Sequence, residues 1–228
     1  GAGRSMRELG TLIAIDGPSA SGKSSVARGV AQELGFIYVD SGALYRGVTW
    51  LALESGLDGS DEAAVMQVVD AVAWRFFVEA GAVVFSIDEV RPGEALRGKA
   101  VREAVSRFAA LPRVRSFVVS RLRSHAQLGS LVIEGRDIGS AVFPDTPLKF
   151  YLDADERERA MRRHRELMAA GESEKAEEVL LSLKRRDEMD AARVHDPLRV
   201  PVGAVRIDST SLNLKEVIEV VINRVLEC

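Results

Sequence analysis

A glycine-rich stretch near the start of the chain has the residue types and spacing of a phosphate-binding loop. DGPSASGKSS, residues 16–25, fits GxxxxGK[ST] through Gly17, Gly22, Lys23 and Ser24. The apolar run TLIAI precedes it and the helically spaced SVARGVAQEL follows, and a strand before and a helix after are the context in which this spacing binds phosphate. The alternative is a glycine-rich turn with an incidental lysine.

A loop of this kind holds a polyphosphate through backbone N–H groups and the positive end of the following helix. We therefore expect ATP or GTP to bind here together with Mg²⁺, with Lys23 at the transferred phosphate and the Ser24 hydroxyl as a metal ligand. The residues predicted to bind the nucleotide are Gly17, Pro18, Ser19, Ala20, Ser21, Gly22, Lys23, Ser24 and Ser25.

DSGALYRG, residues 40–47, follows a second short apolar run, FIYV. Ser41 and Arg46 thus fall near the end of a predicted strand, where a hydroxyl and a guanidinium suit a second anion. The alternative is that Ser41 caps a helix while Arg46 faces solvent.

EGRDIG, residues 134–139, ends the apolar run SLVIEG. It brings Glu134, Arg136 and Asp137 to the same edge of the predicted sheet. The alternative is a structural ion pair beside a turn.

Two charged segments near the C-terminus are predicted to be helical. In KRRDEMDAAR, residues 184–193, Arg186, Asp190 and Arg193 share one helix face, which is usually a solvated, ion-paired face. The arginines of RERAMRRHRE, residues 157–166, could fold over a nucleotide or face water, and we expect water unless the segment is a lid.

The supply of arginines favours one class of acceptor. A hydroxyl acceptor needs a base to take its proton, whereas a nucleoside monophosphate is largely ionised at neutral pH because its second pKa is about 6. Such an acceptor instead needs arginines to bring two polyanions together. The histidines, His125, His164 and His195, have no ligand spacing and receive no role.

The elements that must position these side chains alternate between strands and helices. This order predicts an α/β fold with a doubly wound parallel sheet, whose ligands lie beyond the carboxyl ends of the strands. Residues 58–100 have a different sequence pattern. An acidic segment predicted to be helical comes first, and WRFFVE and AVVFSI then flank Ala80 and Gly81 and are predicted to form a hairpin. We interpret residues 58–100 as an insertion.

Composition narrows the classes of partner. The chain has 228 residues and a net charge of −3, which argues against a general nucleic-acid binder. Cys228 is the single cysteine, and no apolar run approaches the roughly 20 residues that span a bilayer. We expect a cytoplasmic monomer that binds small molecules, with no nucleic-acid or membrane partner, and GAGRS, residues 1–5, is interpreted as an expression scar.

Five motifs, taken in order, resemble the bacterial cytidylate kinase family: GPSASGKSS, DSGALYRG, ALPRVR, EGRDIGSAVFP and RRDEMDAAR. The resemblance runs from about Thr11 to the C-terminus and implies one nucleoside monophosphate kinase domain, residues 11–228, with a P-loop core. It also implies that residues 58–100 enlarge the monophosphate-binding part, that residues 155–193 form a helical lid, and that ATP phosphorylates CMP or dCMP with Mg²⁺.

The same resemblance implies a role for each matching position. It places Ser106, Arg115 and Asp137 around cytosine, whose N4 amine suits a carboxylate and whose N3 and O2 suit a guanidinium. The remaining implied contacts are Arg46, Arg136 and Arg193 with the acceptor phosphate, Asp190 with the sugar, Arg186 with the transferred phosphoryl group, and Ser41 with Asp40 on the acceptor side. The residues expected to be catalytic are Lys23, Arg136, Arg186 and Arg193.

Two kinds of rival remain open from the residues. One is another small-molecule kinase, such as a UMP or shikimate kinase, which acceptor selectivity would separate. The other is a non-catalytic switch that binds ATP and forms no diphosphate from CMP.

Overall fold

The computed structural model describes residues 10–194 and 197–228, so the interpretation of residues 1–5 and the position of His195 lie outside the described residues. The described residues form one sheet. Its strands are β1 Leu12–Asp16, β2 Ile37–Asp40, β3 Trp74–Glu79, β4 Ala82–Ile87, β5 Leu131–Gly135, β6 Leu148–Asp153 and β7 Val205–Asp208.

Helices connect these strands. They are α1 Lys23–Leu34, α2 Ser41–Glu54, α3 Glu62–Ala71, α4 Lys99–Ala109, α5 Pro112–Ser124, α6 Glu156–Ala169, α7 Ala176–Ala191 and α8 Leu214–Leu226. Short 3₁₀ helices span Gly93–Arg97 and His125–Leu128, and a single π-helical turn spans Ile138–Val142. No helix within the described ranges is long and apolar enough to cross a membrane.

The strand order is β3-β4-β2-β5-β1-β6-β7, and every pairing is parallel except that of β3 with β4. Successive side chains of a strand point to opposite faces. On the interior strand β1, Ile13 and Ile15 join the apolar cluster with α1 and α8, whereas Ala14 joins the cluster with α2 to α5. The predicted α/β fold, with helices on both faces of a mostly parallel sheet, is confirmed.

The hairpin predicted around Ala80 and Gly81 is confirmed. Both residues have positive φ, 51° and 76°, as a two-residue turn between right-twisted strands requires. The hairpin extends the sheet beside β2, where the Tyr38 amide donates to the Gly81 carbonyl over 2.8 Å. Residues 58–100 contain α3, the hairpin strands, the 3₁₀ helix Gly93–Arg97 and the first two residues of α4, and their hairpin is continuous with the main sheet.

Helices α6 and α7 form a separate apolar cluster of their own. Ala160 and Leu167 of α6 pack with Val179 and Leu183 of α7, and Ala20 of the phosphate loop packs against the same cluster. The helix pair is thereby held directly against the phosphate loop.

Candidate active site

A cavity of about 400 Å³ lies at the carboxyl ends of β2 and β5, against the phosphate loop. Most side chains singled out from the sequence line it. Those lining residues are Ser19, Ala20, Ser21, Gly22, Lys23, Ser24, Ser25, Asp40, Ser41, Arg46, Arg115, Glu134, Arg136, Asp137, Arg186 and Arg193, whereas the predicted Gly17 and Pro18 are not among them. Ser106 and Asp190 are buried and are not among the lining residues, and α4 contributes Arg102, Val105 and Ala109 to the lining.

The phosphate loop has the backbone geometry of an anion site. The Gly17 amide donates to the Gly135 carbonyl over 3.2 Å, and a Cβ at Gly17 would lie 2.2 Å from the Leu152 carbonyl oxygen, so only glycine fits. Gly22 has a φ of 91° and caps α1 without a side-chain hydrogen bond. The first N–H groups of α1 are therefore available to a phosphate.

Lys23 begins α1 and is buried at the base of the loop. Its Nζ donates to the Pro18 carbonyl over 3.1 Å. Burial, followed by the nearby positive charge of Arg136, lowers the pKa of Lys23 to about 7. A bound polyphosphate would supply the negative charge that keeps this amine protonated.

The Ser24 side chain connects the phosphate loop to Glu134, an acid of the EGRDIG segment for which no role was predicted from the sequence. The Ser24 hydroxyl donates to Glu134 Oε2 over 2.9 Å. Burial, then the negative charge of Asp40, raises the pKa of Glu134 to about 8. The described residues contain no cluster of three or more His, Cys, Asp or Glu suited to a metal. The Ser24 hydroxyl and the Glu134 carboxylate are oxygen ligands of the kind that Mg²⁺ uses beside substrate phosphates.

Asp40 performs two tasks at the start of α2. Its Oδ1 accepts from the Ala43 amide over 3.1 Å, and its Oδ2 accepts from Arg46 Nη2 over 2.7 Å. Burial acts to raise the pKa of Asp40, but Arg46 outweighs it and holds that pKa well below its usual range. The alternatives that Ser41 caps this helix and that Arg46 is solvated are wrong: Asp40 is the cap, Arg46 is ion-paired, and Ser41 is buried beside Gly135.

Arg115 of α5 and Asp137 form a buried ion pair at one end of the cavity. Arg115 Nη2 donates to Asp137 Oδ2, and Arg115 Nη1 donates to the Ala109 carbonyl over 3.3 Å. The guanidinium lies 5.5 Å from the ring centroid of Tyr45. A carboxylate and a guanidinium are thus presented side by side in a site largely closed to solvent.

Arg136, Arg186 and Arg193 gather around one carboxylate. Asp190 is 1% exposed, and its Oδ2 lies 2.6 Å from Arg136 Nε and 3.0 Å from Arg186 Nε. Its Oδ1 lies 3.7 Å from Arg193 Nη1. Burial, and then the charge of Arg136, lowers the pKa of Arg186 to about 10. The alternative that this helix face is merely solvated is wrong.

The expectation that the arginines of residues 157–166 face water is wrong for part of the segment. Arg159 is buried and donates to the Ser19 carbonyl over 3.2 Å and to Asp187 over 2.6 Å. Arg162 donates to the Ser21 carbonyl over 3.4 Å, and Arg163 lines the cavity. Positions 159, 162 and 163 follow i, i+3, i+4 spacing, the signal that separates this face from the exposed Arg157 and Arg165.

Ion pairs also join α4 to the segment between α6 and α7. Arg102 Nη2 donates to Glu172 Oε2 and to Glu174 Oε1, both over 2.9 Å, and its Nη1 donates to Glu172 Oε1 over 3.3 Å. Both acids lie between α6 and α7. This contact was not predicted, because its partners lie 70 and 72 positions apart along the chain.

Comparison with known proteins gives a consistent result. A family model described as cytidylate kinase matches residues 13–227. The chain is 41% identical over 209 residues to a cytidylate kinase of Geobacillus kaustophilus (strain HTA426), covering 91% of this chain and 92% of that protein. It is 40% identical over 207 residues to a cytidylate kinase of Nitrosomonas eutropha, covering 91% of each.

A solved structure supports the fold alone. An uncharacterized protein from Eubacterium ventriosum ATCC 27560 superposes with a TM-score of 0.53 at 13% identity, covering 96% of this chain and 99% of that chain.

Proposed function

The chain belongs to the cytidylate kinase family, and from that premise we propose that it transfers the γ-phosphoryl group of ATP to CMP or dCMP, giving ADP and CDP or dCDP. The observation that carries the proposal is the presence, in one cavity, of a phosphate loop and the buried Arg115–Asp137 pair. The phosphate loop suits the phosphates of ATP. The ion pair suits the edge of a base that presents both a hydrogen-bond donor and hydrogen-bond acceptors.

The donor would be held by the phosphate loop, residues 17–25. Backbone N–H groups at the start of α1 suit its phosphates, and Lys23 is near enough to the loop to meet the γ-phosphate. Ser24 and Glu134 would hold Mg²⁺, which when bound neutralises charge on the donor phosphates. The lowered pKa of Lys23 agrees with a side chain whose positive charge a phosphate anion would stabilise.

The acceptor phosphate would be bound by Arg46, Arg136 and Arg193, all of which line the cavity. No base is required, because the attacking oxygen belongs to a phosphate that is ionised at neutral pH. The task of these arginines is to offset repulsion between two polyanions and to aim the acceptor at the γ-phosphoryl group. Arg186, which contacts the same oxygen of Asp190 as Arg136 does, would neutralise charge on the group in transfer.

The acceptor base would be read by Asp137 and Arg115. The carboxylate can accept from the N4 amine of cytosine while the guanidinium donates to N3 and O2. Uracil would set a carbonyl against Asp137 and leave buried polar groups unpaired, an arrangement that discriminates strongly between substrates. This favours CMP over UMP. Ser106, buried in α4, is proposed to support this end of the site, and Ser41 and Asp190 to contact the acceptor.

The helix pair α6 and α7 would exclude water during transfer. Arg159 and Arg162 already contact carbonyls of the phosphate loop, and Arg102 joins α4 to the turn between the two helices. An enclosed site prevents water from competing as acceptor. We propose that residues 155–193 act as a lid and that residues 58–100 support the acceptor side. The monomeric state and the cytoplasmic location expected from the sequence stay predictions.

The test is a panel of acceptors. The protein is incubated with Mg²⁺-ATP and, separately, with CMP, dCMP, UMP, AMP, GMP, shikimate or no acceptor, and both ADP and the new product are quantified. We expect turnover confined to CMP and dCMP. ADP formation without an acceptor, or a preference for another acceptor, would overturn the assignment. ATP binding without any phosphorylated product would indicate the non-catalytic switch.

A further inference from the structure

Asp16, the last residue of β1, is a buried acid with no role in the transfer described above. It is 0% exposed. Its Oδ1 accepts from the Ile138 amide and its Oδ2 from the Gly139 amide, each over 2.8 Å. The carboxylate thus holds two consecutive backbone N–H groups of the loop that begins with Arg136 and Asp137.

The fold explains why this side chain reaches that loop. Alternation along β1 points Asp16 to the same face as Ala14, the face whose apolar cluster includes Ile138 and Val142. Asp16 also lies opposite Gly135 in the parallel pairing of β1 with β5. The N–H groups at the start of the π-helical turn Ile138–Val142 lack partners within that turn, and the two oxygens of Asp16 accept from them.

A carboxylate in this position is costly for the fold. Burial raises the pKa of Asp16 to about 7 in spite of its two amide hydrogen bonds, so its charged form is poorly stabilised there. A buried charge of this kind adds little net stability, but the two amides that donate to it cannot be left unpaired in a site closed to water. The carboxylate therefore serves to hold these two amides in place.

The neighbours of Asp16 show which geometry it fixes. Gly17, the first residue of the phosphate loop, follows it directly, and the Gly17 amide donates to the Gly135 carbonyl. Beyond the end of β5, Asp137 directly precedes the two amides that donate to Asp16. Asp16 thus connects the phosphate loop to the loop that carries Arg136 and Asp137.

We propose that Asp16 is a positioning residue that fixes Arg136 and Asp137 relative to the phosphate loop, and thereby sets acceptor affinity and selectivity for cytosine over uracil. The inference rests on the proposed function, because it takes Asp137 to face the acceptor base. Asp16 acts only through the loop that it holds, while its own side chain is enclosed by protein.

The test is the substitution Asp16→Asn, which keeps the size but replaces one acceptor oxygen with an amide donor. One of the two backbone N–H groups then loses its partner in a dry environment. We expect the KM for CMP to rise about tenfold, the KM for ATP to change less than about twofold, and the CMP-over-UMP ratio of kcat/KM to fall about tenfold. The split between the two nucleotides is a readout that general loosening of the fold would not produce.

The matched control is Asp153→Asn at the end of the neighbouring strand β6. The Asp153 carboxylate accepts from the Ala154 amide over 2.8 Å, and an asparagine oxygen can keep that bond. We expect its KM values and selectivity to match those of the unsubstituted protein. Circular dichroism and thermal unfolding establish that each variant is folded before kinetics are measured.

Each remaining outcome also decides the proposal. Unchanged acceptor KM and selectivity in Asp16→Asn, or equal increases in both KM values, would overturn it. If Asp16→Asn fails to fold, Asp16→Ser is measured in the same way, and failure of both to unfold cooperatively would assign Asp16 a purely structural role. Failure of the proposed function is distinguishable, because it would appear in the unsubstituted protein as absence of CMP turnover.

Discussion

Arg136 Nε, just beyond the end of β5, lies 2.6 Å from Asp190 Oδ2 in α7. The contact joins the loop that carries the proposed base-reading acid to the helix pair above the phosphate loop. Arg136 also donates to the Ser19 hydroxyl over 2.7 Å, so one guanidinium touches both the donor loop and the carboxylate. Asp190 in turn lies within 3.0 Å of Arg186 Nε.

The first prediction concerns that shared carboxylate. Asp190→Asn should lower kcat at least about tenfold, because three guanidinium groups lose the charge that holds them in place. The melting temperature should fall as well, since repulsion among the arginines is no longer offset. Steady-state kinetics and calorimetry measure the two effects. Glu188→Gln, an exposed acid on the same helix, is the control, and an Asp190 variant as active as that control would contradict the prediction.

The second prediction separates chemistry from acceptor binding. Lys23→Ala should lower kcat about 100-fold or more while changing the KM for CMP less than about twofold, because the amine meets the donor phosphates and not the acceptor. Lys215→Ala, an exposed lysine in α8, provides the control in the same assay. A large rise in the KM for CMP, with kcat retained, would place Lys23 on the acceptor side instead.

The third prediction tests base recognition. Asp137→Asn should reduce the CMP-over-UMP ratio of kcat/KM at least about tenfold, because an amide can donate to the uracil O4 that a carboxylate opposes. Competition between the two acceptors in one reaction measures the ratio directly. Asp145→Asn, at an exposed position beyond the π-helical turn, is the control. An unaltered ratio would remove Asp137 from the base-reading role.

The fourth prediction concerns the bridge between α4 and the turn joining α6 to α7. Arg102→Ala should increase amide hydrogen exchange across residues 170–175, because Glu172 and Glu174 lose their partner on α4. High salt should have a similar but smaller effect in the unsubstituted protein, since these ion pairs are partly exposed. Arg107→Ala, at an exposed site on α4, is the control, and equal exchange in the two variants would argue against the bridge.

The fifth prediction follows from the raised pKa of Asp16. Its pKa is 3.8 when unfolded and about 7 when folded, so the folded state binds the proton more tightly. The stabilising contribution is therefore fully present below pH 3.8 and is lost as pH rises toward 7. Thermal unfolding of nucleotide-free protein between pH 4 and 8 should show a shallower decline for Asp16→Asn than for the unsubstituted protein, and parallel curves would contradict the shift.

Local pattern was enough to predict the order of strands and helices, the phosphate loop and the hairpin. These depend on periodicity and on residues adjacent in the chain. The contacts that shape the site could not be predicted in the same way. The amides held by Asp16 lie 122 and 123 positions further on, and Arg159 has its partner Asp187 on the next helix.

The start of α2 shows that even the roles of adjacent residues could not be predicted from the sequence alone. Asp40 and Ser41 both carry oxygen atoms that can cap a helix. Asp40 has the extended backbone of a cap, with φ −92° and ψ 100°, whereas Ser41 is the first helical residue. Only the backbone angles decide between them.

The position of β1 between β5 and β6 has a consequence for the order of events during synthesis. The phosphate loop follows β1, the first strand of the described residues, but β1 is hydrogen-bonded to β5 and β6, and the Thr11 amide donates to the Ser130 hydroxyl, 119 positions later. The loop therefore has no neighbouring strand beside β1 until β5 has been synthesised. Because contacts this distant in sequence form slowly, the nascent N-terminal segment must remain soluble without its fold, and nucleotide binding should begin only late in synthesis.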